Sequence, residues 1–175
     1  LLKTQQSKLT IYLAKILYGF IAIFMFSVAE IAIMLLLGNK IGFENKPDIW
    51  AYALFFIFTL IITFNLFLLQ MILSLIFHNQ AVALCAGLCG SMAGLFMMFI
   101  PDFQLLKNLI PWGHYGTTMF VGMDWNEKTR ITGFYYSNQH NGAIFFVIAW
   151  TVVLLLGGWL IFKNMDAEGC ILQDI

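Results

Sequence analysis

Four long apolar runs alternate with short polar breaks along this chain. They cover about Ile16–Gly38, Trp50–Phe77, Ala81–Ile100 and Gly142–Phe162. About 20 residues of α-helix cross the hydrocarbon core of a bilayer, so each run is long enough to span. Lipid offers no partner to a free backbone N–H or C=O, which makes all four spans helices. The second is long enough to tilt. A fifth apolar stretch, residues 101–123 (PDFQLLKNLIPWGHYGTTMFVGM), breaks the pattern. Pro111, Lys107, His114 and three glycines interrupt it. It is too broken to cross as one helix and too apolar to lie in water. The pattern predicts a re-entrant hairpin over residues 102–123. Asp102 caps a short helix Phe103–Ile110, whose apolar face is Phe103, Leu106, Leu109 and Ile110. Pro111 ends that helix. A plain interfacial loop is the alternative. Residues 124–141 read as a polar outer loop, and Trp112, Tyr115, Trp125, Tyr135 and Tyr136 suit the headgroup level.

The spans carry further order. Ala83, Gly87, Gly90 and Gly94 fall on one face of the third, a small-residue stripe that lets backbones approach closely. The partner is a neighbouring helix of the same chain or a second copy; the pattern does not choose. Thr59, Thr63, Gln70 and Ser74 form a polar seam on the second span, which should face protein or a water-filled path. Asn65 points elsewhere, toward a separate interhelical hydrogen bond. Glu30 stands alone in the first span. An intramembrane carboxylate costs about 2.5–3.5 kcal/mol, so it is a functional candidate, unless it lies near the outer interface and pairs there. Tyr12, Lys15, Gly19 and Glu30 share a face that should turn inward.

Composition agrees with this picture. Of 175 residues 61% are hydrophobic and 10% charged, against roughly 25% charged in a soluble domain. The fold class is therefore an all-α integral membrane protein. Zero formal net charge leaves no footprint for nucleic acid. Lys3, Lys8 and Lys15 ahead of the first span place that end in the cytoplasm, with the tail from Lys163; loops 39–49 and 101–141 then face outside. Acids match the lysines and the arginine of those outer loops. The chain opens at Leu1 in a basic stretch running into a helix, so an N-terminal part of a longer protein is expected to precede it. Cys85 and Cys89 read as soft packing residues. His78, His114 and His140 show no metal-ligand spacing. GxxxxGK[ST], HExxH and GxSxG are all missing from the sequence, so neither ATP binding by a phosphate loop nor these hydrolase chemistries belong to it.

The order of these features resembles a known family. SKLTIYLAKILYG (residues 7–19) enters a helix, three spans follow, and IPWGHYG (residues 110–116) sits in the broken segment before the last. This resembles the permease subunits of type-two ABC exporters, most closely those that protect Gram-positive bacteria from lantibiotics and related peptide antibiotics. The resemblance implies one permease domain over 1–175, the last four of six helices. It also implies a cytoplasmic coupling segment at 1–15 with Lys3 and Lys8 near the ATPase, and an outer gate at Pro111, Trp112 and Tyr115. The partners implied are a cytoplasmic ABC ATPase and a second permease subunit in the plasma membrane, both chain ends being cytoplasmic. ATP and Mg would be held by the ATPase, with no cofactor on this chain. From the residue pattern alone, Glu30, Thr59, Thr63, Gln70 and Ser74 are the candidate translocation path. A non-transporting scaffold or sensor-partner subunit is the competing expectation.

Overall fold

The computed structural model describes residues 7–41, 49–77, 79–98, 104–119, 121–126, 128–136 and 140–164. The four expected spans are helices: α1 (Lys8–Ile41), α2 (Ile49–Ile76), α3 (Gln80–Met98) and, after the broken segment, α6 (His140–Asn164). Each contains a stretch long and apolar enough to cross a membrane. Two begin at polar caps. The Ser7 hydroxyl accepts from the Thr10 N–H at 3.2 Å, and the Asn79 side-chain oxygen accepts from the Ala81 N–H at 2.9 Å. These satisfy donors that a first turn leaves unpaired. The Ser7 cap also explains why α1 starts eight residues before Ile16, so half of the expected coupling segment is already helix. Lys3 and the rest of residues 1–6 lie outside the described residues, as do Asp102 and Phe103.

Between α3 and α6 the chain is broken as Pro111 demands. A short α4 (Gln104–Leu109) stops, Pro111–Gly113 makes one 3₁₀ turn, and α5 (His114–Thr117) follows. The expected polar loop over 124–141 needs correction. Strands β1 (Val121–Asn126) and β2 (Ile131–Tyr136) pair antiparallel, with Val121 opposite Tyr136 and Asn126 opposite Ile131. The hairpin crosses the boundary drawn at residues 123 and 124. Its physical cause is local. Asn126 accepts the N–H groups of Lys128 and Thr129 at 3.0 and 3.2 Å, the Asx turn that asparagine favours. Arg130 takes a left-handed φ of 56° and donates its N–H back to the Asn126 carbonyl at 2.8 Å. The β-branched and aromatic residues of ITGFYY suit a strand.

Helix α2 is the hub, packing against α1, α3 and α6. Phe58 and Ile62 bury against Val147, and Leu68 and Ile72 against Leu154. On α1, the Tyr12 hydroxyl donates to the Leu155 carbonyl at 2.8 Å. Gly19 lies so close under the Phe67 ring that a Cβ there would overlap it. Tyr12 and Gly19 thus turn inward as their spacing predicts, whereas Lys15 and Glu30 of the same expected inward face are exposed. The outward surfaces are the apolar ones: Phe24, Met25, Phe26 and Leu36 of α1 and Leu84, Leu88, Met92 and Phe96 of α3 are exposed. Asn65, Thr59, His114 and Lys107 are buried. Hydrocarbon is as apolar as a leucine, so in a membrane polar contacts and close packing, not apolar burial, decide what goes inside. Cys85 and Cys89 are both exposed, so they serve no packing role within the chain.

Candidate functional site: a broken segment docked at mid-bundle

Breaking a helix leaves its last carbonyls without intrahelical donors. The chain answers three of them with a side chain or a turn. The carbonyl of Asn108 accepts from His114 Nε2 at 3.0 Å. That of Leu109 accepts the indole N–H of Trp150, on α6, at 3.0 Å. That of Ile110 accepts the Gly113 N–H at 2.8 Å. Gly113 is required here, since a Cβ would strike the Lys107 carbonyl. In the next turn the hydroxyls of Thr117 and Thr118 both donate to the His114 carbonyl, at 3.1 and 2.8 Å.

Helix α4 is inside out. Leu105, Leu106 and Leu109 are exposed, while Lys107 is only 6% exposed. His114 is fully buried at 0%, and its bond to Asn108 fixes the proton on Nε2. Nδ1 is then a bare acceptor, without a partner among the described residues, and so is the side-chain oxygen of Asn108. Burial holds the His114 imidazole below its ordinary pKa, and the Asn108 bond pulls the other way.

The segment docks halfway along the long helices. The hydroxyls of Tyr115 and Thr63 share a short hydrogen bond, and Thr63 stands fourteen residues from Ile49 and thirteen from Ile76. Trp112 lies over Gly90, near the middle of α3, and its backbone lies against Gly94. The glycine stripe is therefore filled from within the chain: Trp112 covers Gly90 and Gly94, and the Gln70 side chain covers Gly87. Ala83 is buried on the same face and offers its carbonyl to Gln70 Nε2 at 3.0 Å.

The residues singled out on the spans separate into two groups. Thr63 and Tyr115 are brought together from α2 and α5, and Glu30 of α1 is near enough for its charge to act on Tyr115. Burial raises the Tyr115 phenol above its ordinary pKa, the Thr63 bond opposes this, and the negative charge of Glu30 adds to the rise. Glu30 itself is exposed on the outside of the chain. Gln70 and Ser74 lie further along α2, where the Ser74 hydroxyl donates to the Gln70 carbonyl at 2.9 Å. Thr59 is buried at the other end of the seam. Asn65 points to α6, as its position predicts, and donates to the Val147 carbonyl at 3.0 Å. Lys8 reaches across to α6, its ammonium donating to the Lys163 carbonyl at 3.0 Å.

His114, Asn108 and Trp150 escaped the reading of the sequence as site residues. A signal existed for His114: a polar ring three residues beyond a helix-breaking proline is placed to cap the broken end. Trp150 had none, because its partner is distant in sequence.

Among the described residues no three His, Cys, Asp or Glu side chains gather as a metal site. The hydroxyls of Thr63 and Tyr115 and the buried His114 imidazole are the polar groups at this docked segment. Four membrane-length helices define a multi-pass α-helical membrane protein. No protein-family model, curated protein or solved structure matches the chain.

Proposed function

We propose that this chain is the membrane-spanning permease subunit of an ATP-driven ABC exporter that expels a peptide antibiotic, lantibiotic-like, or another amphipathic compound. Residues 102–123 act as a re-entrant segment at its outer gate. The observation that carries this reading is the Tyr115–Thr63 bond at mid-length of α2. A broken segment at that depth needs partners for its carbonyls and an apolar outer face; the partners of the Asn108 and Leu109 carbonyls and the exposed leucines of α4 support the reading.

Glu30 supports a second permease subunit. A carboxylate exposed on a spanning helix about 16 Å from its nearer end needs cover that lipid cannot give. The energy comes from a cytoplasmic ABC ATPase that holds ATP and Mg, docked at the end bearing Lys3 and Lys8. The protein belongs in the plasma membrane of a Gram-positive bacterium, with both chain ends cytoplasmic. Co-purification with an ATPase, and weakened antibiotic resistance in a Glu30→Ala strain with normal membrane levels, test the proposal. Unchanged resistance removes Glu30 from it.

One observation favours a different role, a non-transporting scaffold or sensor partner. Thr63, Gln70 and Ser74 already have hydrogen-bond partners within the chain, so the seam serves packing as it stands. Replacing Thr59, Thr63, Gln70 and Ser74 together by apolar residues separates the two. Full function in that variant supports the scaffold.

A further inference from the structure

One end of the bundle carries Lys8, Lys15 and Lys163. Lys15 lies two turns into α1, its ammonium 5.7 Å from the centre of the Phe162 ring. Among the described residues no carboxylate pairs with it. A lysine held on the flank of a spanning helix needs an anion more than one in water does.

Beside Lys15 a groove of about 370 Å³ opens between α1 and α2, lined by Lys15, Tyr18, Phe67, Gln70, Met71 and Ser74. Its lining is graded along α2. Ser74 is about 3 Å from the helix end at Ile76, and Phe67 about 14 Å deeper into the bundle than that end. Lys15 stands about 10 Å from the start of α1 at Lys8, so the charge lies nearer this face than Phe67, the deepest apolar residue of the lining. That is the profile of an amphiphile with an anionic head. A second groove of about 410 Å³, between α2 and α3, is lined by Leu66, Gln70, Leu84, Gly87, Leu88, Ser91 and Trp112 and has no charge.

We infer that the Lys15 groove binds an anionic phospholipid. The phosphate pairs with the Lys15 ammonium, the exposed Tyr18 hydroxyl donates a second bond, and an acyl chain runs along Met71 and Phe67. Within a bilayer the available anions are headgroups, and they are drawn to basic pockets between helices. This goes beyond the transport reading and does not depend on it.

The test is native mass spectrometry of the full chain taken from phosphatidylcholine vesicles containing phosphatidylglycerol. The wild type retains phosphatidylglycerol over phosphatidylcholine, and Lys15→Ala lowers that preference about fivefold. Lys15→Arg keeps it. Lys163→Ala, which removes the same charge outside the groove, also keeps it. Met71→Trp fills the groove without touching any charge and expels the lipid, which guards against a folding defect in the lysine variant. Excess inorganic phosphate leaves the ratio unchanged. Equal loss in Lys163→Ala, retention in Met71→Trp, or displacement by phosphate would each overturn the site. Neither an ATPase nor an antibiotic enters the measurement, so its failure is separable from failure of the transport reading.

Discussion

The indole N–H of Trp150 closes the end of a helix it does not belong to, donating to the Leu109 carbonyl at 3.0 Å. Trp150→Phe keeps the ring's packing and removes the donor. The orphaned carbonyl is expected to weaken docking of residues 104–119 by about 1–2 kcal/mol. Hydrogen exchange across that segment, compared with α2 as an internal reference, reads the effect. Protection equal to the wild type would show that the bond carries no weight.

Glycine substitutions on α3 and α6 should diverge sharply. A Cβ at Gly94 meets the Trp112 backbone, and one at Gly90 meets the Trp112 ring. A ring can swing and a backbone cannot, so Gly94→Ala is the more damaging, by about 1–3 kcal/mol. Gly157→Ala meets nothing within 4 Å and should be neutral or slightly stabilising. Resistance to unfolding in mixed detergent ranks the three, and the order Gly157, Gly90, Gly94 is the expectation.

The Thr63–Tyr115 pair is suited to a double-mutant cycle. Thr63→Val and Tyr115→Phe each remove a hydroxyl with little change of shape. Their coupling should fall at about 0.6–1.7 kcal/mol, the range of interhelical hydrogen bonds in a bilayer. Additive losses would mean that the two hydroxyls act separately.

Docking should weaken in acid. The docked His114 ring has a lowered pKa because it is buried, whereas the undocked ring titrates near the usual value of about 6.5. The undocked state therefore binds the proton more readily. Docking is at full strength above that range and is lost as pH falls through it toward the docked ring's lower pKa. Protection of residues 104–119 should decline between about pH 7 and pH 5, and the decline should disappear in His114→Gln. A wild-type profile flat over this range would contradict a neutral, buried ring.

The spans were legible because a bilayer imposes one length and one composition. The Pro111 break and the helix before it were legible for the same reason, as was the interhelical role of Asn65. The β-hairpin was missed because polarity alone reads as loop, although Asn126 carried the turn signal. The glycine stripe could not name its own partner. Spacing shows that backbones come close, and only the fold shows that Trp112 and Gln70 fill the gap. Thr63 and Tyr115 were each singled out separately, but their meeting depends on where the broken segment docks, which no local pattern encodes.

Gln70 lines both grooves, so they share a wall one side chain thick. Its amide is held on one side by the Ala83 carbonyl and pressed on the other by the bare backbone of Gly87. The grooves on the two sides of α2 are thus kept apart at this point by one amide side chain.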